Sequence, residues 1–104
     1  MAKAVLIVHS RPVEASREDE FNKWYDEVHI PDVTSVAGVV SGRRFKKAGG
    51  ADDGGYPYLA IYELDTDDVA ATMKELADRT ADGRFVMSEA FVSEGAFTGL
   101  FEPV

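Results

Sequence analysis

The 104-residue sequence has no cysteine, a single tryptophan and only two histidines. The missing thiols exclude disulfide frameworks, cysteine nucleophiles and cysteine-ligated zinc or iron–sulfur centres. Basic charge is also scarce. Eleven Lys and Arg face nineteen Asp and Glu, so the net charge is 11 − 19 = −8. That sign argues against a nucleic-acid partner and against a basic face lying on a membrane. Long hydrophobic runs are lacking too: Ala4–Val8 is only five residues, bounded by Lys3 and His9. Such a run is too short for a signal-peptide core or a membrane span, and the expected location is the cytoplasm.

Several reaction centres are absent by motif. His9 and His29 show no His-x-x-x-His or Glu-x-x-His spacing, so no metal site is expected. No Gly-x-Ser-x-Gly appears for a serine hydrolase. The glycine-rich stretch Ala48–Gly55 carries Asp52 and Asp53 but neither a lysine nor a following helix, so it is no phosphate cradle. No organic cofactor is implied.

What is present is a periodic pattern. Ala4–Val8 reads as a buried strand with two apolar faces, Ala4/Leu6/Val8 and Val5/Ile7/His9. Ser16 offers a helix N-cap, and Glu18, Asp19 and Glu20 place acid in the first turn. Phe21, Trp24, Tyr25 and Val28 then form one helical stripe, and Pro31 predicts an end or kink at Ile30. A short piece follows over Pro31–Val36. Val39–Lys47 reads as a second strand with Val39, Ser41, Arg43, Phe45 and Lys47 on one face, Ala48–Gly55 as a hairpin loop, and Tyr56–Leu64 as a third strand. Thr66 is placed to cap a second helix with the stripe Val69, Met73, Leu76 and Ala77, ending near Gly83. Phe85–Val92 fits either an irregular turn or a short strand, and Gly95–Glu102 reads as the last strand.

This β-α-β-β-α-β order is the ferredoxin-like α+β plan: a four-stranded antiparallel sheet with two helices on one face. A single domain spanning residues 1–104 is expected. Two helices cover one sheet face, yet three of the four strands are apolar on both. Exposing the second face would leave more apolar surface than a monomer usually tolerates. A homodimer joined sheet to sheet resolves this. Burying about 600 Å² per subunit supplies roughly 15 kcal/mol before association costs.

The run from Phe21 through Trp24, Tyr25, His29, Pro31 and Asp32, followed by Gly38, Arg43, Arg44 and Phe45, resembles the EthD-like dimeric α/β barrel proteins. Tyr58–Leu64 and Ala96–Glu102 are similar to that family as well. The resemblance implies a ferredoxin-like subunit, a two-subunit barrel, and a cleft between sheet and helices for a small hydrophobic molecule. It implies no single reaction. EthD itself accompanies an ether-degrading oxygenase system, and wider relatives include cofactor-free monooxygenases, lactone isomerases and polyketide cyclases.

His29 is the leading candidate for chemistry, as a general acid/base at the edge of the aromatic stripe within i, i+4 reach of Tyr25. The bland reading is a helix-end histidine bonding the last carbonyls. His9 would join it if its strand face lines the cleft. Tyr25 is placed to orient a substrate; as a core residue it needs a partner for its hydroxyl. Trp24, Tyr58 and Tyr62 are candidate cavity walls or plain packing. Arg43, or its neighbour Arg44, is a candidate anion ligand, against the simpler role of guarding a sheet edge. The expected function is binding of a small hydrophobic or aromatic molecule by a homodimeric barrel, with His29 supporting cofactor-independent isomerase, cyclase or monooxygenase chemistry. The alternative is a non-catalytic accessory or metabolite-binding protein of a degradation or biosynthetic pathway.

Overall fold

A computed structural model describes residues 2–48, 55–94 and 98–104. Its elements are β1 (Ala2–Pro12), α1 (Glu18–Trp24), α2 (Ile30–Thr34), β2 (Val39–Lys46), β3 (Tyr58–Thr66), α3 (Val69–Ala81), β4 (Phe91–Val92) and β5 (Thr98–Phe101). All pairings are antiparallel. β1 is central, with β3 on one side and both β5 and β4 on the other, and β2 continues beyond β3. The four main strands therefore lie in the order β2-β3-β1-β5, the ferredoxin-like arrangement, and β4 is a two-residue addition opposite Arg11 and Pro12. The glycine-rich hairpin at 49–54 and the start of the expected last strand, 95–97, lie outside the described residues.

Strand parity follows the expected alternation. Ala4, Leu6 and Ser10 of β1 and Tyr58, Ala60, Tyr62 and Leu64 of β3 are buried on the helix-covered face. Val5, Ile7 and His9, with Leu59 and Ile61, occupy the opposite face and are half-buried. β2 departs from a simple alternation. A register shift between Val39 and Ser41 turns Val39 into the core while Ser41, Arg43 and Phe45 face the other way. Extra residues of this kind reverse the pleat locally.

Two caps differ from expectation. Ser16 caps nothing; it sits inside a 3-10 turn, Ala15–Arg17, where Arg17 N–H bonds the Glu14 carbonyl at 3.1 Å. Asp68, not Thr66, caps α3, accepting from the Ala71 N–H at 3.0 Å. Thr66 ends β3 instead. The buried stripe of α3 uses Thr72 and Leu76, with Val69 and Met73 packed at the margin, whereas Ala77 is exposed.

Pro31 neither ends nor breaks its helix. Residues Tyr25–His29 form a π turn between α1 and α2, in which Ile30 N–H donates to the Tyr25 carbonyl five residues back. In an unbroken α-helix the proline ring would press on the carbonyl four residues earlier, that of Glu27. Widening the preceding turn relieves this and lets the helix run on to Thr34. The two helical arms also approach the sheet closely. At Gly42 an added Cβ would lie 3.0 Å from the Tyr62 ring and 3.3 Å from Ile30 Cγ2, so any larger residue would have to push these side chains back.

Candidate functional site

The π turn sets the geometry around His29. An α-helix separates residues i and i+5 by about 140° around its axis. Here the wider turn brings His29 over Trp24, with the rings stacked at 4.8 Å and 21°. Tyr25 meets His29 edge-on at 5.2 Å, and Phe85 and Phe91 complete the enclosure at 6.1 and 6.0 Å. The imidazole is 8 % exposed and its Nδ1 has no hydrogen-bond partner. Burial pushes its pKa down to about 4, against a smaller opposing pull from Asp32. His29 is thus a neutral imidazole at pH 7, not a group balanced between two charge states as its ordinary pKa would have made it.

The walls of this enclosure come from the segment that lacks a clear pattern in sequence. Residues after α3 fold back over the π turn. Trp24 Nε1–H donates to the Val86 carbonyl at 2.7 Å, and Val13 N–H bonds the Ala90 carbonyl at 2.7 Å. Phe85 and Ala90 are thereby held in the core, with the half-buried Phe91 packed against it. In the sequence, the sole sign of Phe85 and Phe91 as walls is that two aromatics stand among otherwise mixed residues.

Beside this box lies a second unusual group. The hydroxyls of Tyr25, Tyr62 and Ser10 are all buried without an aligned hydrogen bond. Tyr25 is close enough to the other two to feel both, and burial raises the pKa of both tyrosines, so each stays protonated. Between Tyr62 and Ser10 on this face lie Val8 and Ala60, which are register partners.

Arg44 closes the β2 side. Its guanidinium lies 4.3 Å above the Tyr25 ring and also faces Phe21 and Tyr58. It donates to Asp26 Oδ1 and Asn22 Oδ1, each at 2.8 Å. Asn22 donates to the Tyr58 hydroxyl at 3.2 Å, which in turn donates to Glu18 at 2.7 Å. That last bond holds the Glu18 carboxyl below the usual range. Outside this network an open groove of about 280 Å³ is lined by Asp26, Arg44, Phe45, Lys46 and Tyr58.

The sequence candidates therefore separate. His29, Tyr25 and Trp24 are together, and Tyr62 joins Tyr25. Tyr58 stands at the outer groove. His9 occupies the opposite sheet face, so it does not meet His29 across a cleft. Arg43 is also on that opposite face, its guanidinium 5.2 Å over Phe45, and the arginine at the helix side is Arg44. Ser10, Asn22 and Arg44 complete the helix-side cluster. Among the described residues, no three His, Asp or Glu side chains gather to hold a metal, and no helix is long and apolar enough to cross a membrane.

A curled antiparallel sheet under two helical segments, with a buried aromatic and hydroxyl cluster between the layers, defines a ferredoxin-like α+β protein. More particularly, the chain belongs to the family described as a domain of unknown function, DUF4286, whose model matches residues 7–91. No curated protein matches it significantly by sequence. Three solved structures are similar in fold. A candidate monooxygenase from Shewanella loihica PV-4 is 17 % identical with a TM-score of 0.67, over 99 % of this chain and 95 % of that one. HapK from Hahella chejuensis is 15 % identical at a TM-score of 0.60, over 97 % and 92 %. An ethyl tert-butyl ether degradation (EthD) family protein from Bacillus halodurans C-125 is 15 % identical at 0.56, over the whole of both chains. At these identities the likeness establishes the fold.

Proposed function

We propose that this protein binds a small hydrophobic or aromatic molecule between its helices and sheet, as an EthD-like homodimer, with His29 as the polar group that meets the ligand. One observation carries the reading: a neutral imidazole with an unpartnered Nδ1 is buried inside an aromatic box. Buried polar atoms in native proteins are nearly always satisfied, so one that is not calls for an explanation, and a functional role is among the recognised ones. The π turn that delivers His29 is itself a feature enriched at functional sites. The EthD-family and monooxygenase-like folds among the similar structures support the same class of ligand.

A second copy of the chain covers the other sheet face in this reading. Val5, Ile7, Leu59 and Ile61 form its centre, flanked by Phe45 and by Phe101, which is 48 % exposed. An isologous contact uses this patch twice and removes it from water on both subunits.

Two modes of action fit the ligand site. In the first, His29 exchanges a proton with the ligand in isomerase-, cyclase- or monooxygenase-like chemistry without a cofactor. In the second, the ligand is held and released unchanged, and the low basicity of His29 favours this mode. A thermal-shift screen of small aromatic molecules, followed by mass analysis of each hit after incubation, separates the two. Hits should stabilise the wild type and lose most of that effect in His29→Ala. Full stabilisation of His29→Ala by every hit would remove His29 from the site.

A further inference from the structure

We propose that the open groove along β2 binds the carboxylate of a small aromatic acid, with Arg44 and Lys46 as its cationic ligands and Asp26 as the residue the ligand displaces. This groove is distinct from the apolar site proposed around His29, which it neither uses nor requires. Its volume of about 280 Å³ lies just under the range of about 300–1,000 Å³ that takes drug-sized ligands, so it admits a one- or two-ring molecule. Among its lining residues Arg44 and Lys46 are cationic and Asp26 is anionic, a lining charge of 2 − 1 = +1 in a chain whose net charge is −8. Tyr58 and Phe45 supply the aromatic walls, and both cations lie 5.3 Å from the Tyr58 ring centroid. Arg44 and Lys46 pair in register with the buried Ala60 and Tyr58, so both project on the helix side, away from the face assigned to a second copy.

Cations on an edge strand often serve only to repel another strand. Arg44 does not fit that role. Its side chain is 12 % exposed, stacked 4.3 Å over the Tyr25 ring, and one terminal nitrogen donates to Asn22 Oδ1 at 2.8 Å. The guanidinium fork is therefore fixed before any ligand arrives, which lowers the ordering cost of binding. Its other terminal nitrogen donates to Asp26, whose side chain is 64 % exposed. Exposed ion pairs contribute little, so a ligand carboxylate takes that place at small cost while Asp26 turns into water. Lys46 is held more loosely. Its bond to Glu18 is 3.4 Å long, and the same Glu18 oxygen accepts from the Tyr58 hydroxyl at 2.7 Å. Glu18 thus stays with Tyr58 when Lys46 swings to the ligand.

Isothermal titration calorimetry at pH 7 with 2-naphthoate and its neutral counterpart 2-naphthalenemethanol tests the proposal. We expect the acid to bind at least about tenfold more tightly than the alcohol. Asp26→Asn should tighten the acid by about threefold, because a competing anion leaves the groove, and Lys46→Gln should weaken it by about threefold. Raising the salt from roughly 20 to 300 mM should weaken the acid by a similar factor. Both substituted side chains are more than half exposed, so each variant keeps the fold. An Asp26 that only braces Arg44 would give the opposite sign, weaker binding in Asp26→Asn. That result, equal binding of the alcohol, unchanged affinity in both variants, insensitivity to salt, or no binding of the acid at millimolar concentration overturns the groove site. None of these outcomes bears on the His29 site, whose own test is the comparison with His29→Ala.

Discussion

His29 stacks on Trp24, five residues earlier in the same helix, at 4.8 Å and 21°. Regular α-helical spacing cannot make that contact; the π turn of Tyr25–His29 does. Trp24 is the only tryptophan, so it reports directly on its neighbour.

Protonating His29 should therefore quench Trp24 fluorescence with a midpoint near pH 4, where burial places the imidazole. Stability should follow. The folded pKa is below the unfolded value of 6.5, so the unfolded chain binds the proton more readily between the two. The stabilisation is complete above about pH 6.5 and is lost as pH falls toward 4, by roughly 3 kcal/mol in total. Urea titrations from pH 7 to 4 should show this slope in the wild type and a shallower one in His29→Phe. Parallel slopes would contradict the burial argument.

Gly42→Ala should destabilise the fold by about 1–3 kcal/mol. The new methyl meets the Tyr62 ring at 3.0 Å and Ile30 at 3.3 Å, two groups held by the sheet and the helix. A denaturation midpoint equal to that of the wild type would show that the helix can lift from the sheet at no cost.

Arg44→Leu should cost about 2–3 kcal/mol, since it removes two hydrogen bonds and a guanidinium stacked on Tyr25 while leaving Asn22 short of a partner. Arg44→Lys should recover less than half of that loss. An ammonium can keep the attraction to Asp26 but has no planar fork for Asp26 and Asn22 together. Chemical denaturation of the three proteins side by side measures the difference.

Ile61→Glu places a charge at the middle of the sheet face away from the helices. Sedimentation velocity should show a dimer for the wild type and a folded monomer for this variant, because an unpaired carboxylate cannot be buried in the contact. A wild-type monomer at micromolar concentration would refute the sheet-to-sheet assembly.

Much of the architecture is legible in local pattern. The parity of β1 and β3 and the burial of Phe21, Trp24 and Tyr25 on one side of the first helical segment follow from periods of 2 and 3.6 residues. Ser16 and Thr66 show the limit of such reading. Either could cap a helix, but a 3-10 turn absorbs the first and an extra strand residue claims the second. In β2 a single register shift reverses Val39 relative to Arg43, which the residue types do not signal.

By itself, the sequence determined the order of elements, the two apolar sheet faces and the aromatic helix carrying His29, because those are properties of neighbours along the chain. Tertiary structure alone decided that His9 and Arg43 face away from His29, that Arg44 covers Tyr25, and that Tyr25 meets both Ser10 and Tyr62. Those relations join residues as far apart as Tyr25 and Tyr62, and only strand register and the docking of the helix on the sheet bring them together. Alternation tells which residues share a face, but packing chooses the face that the helices bury.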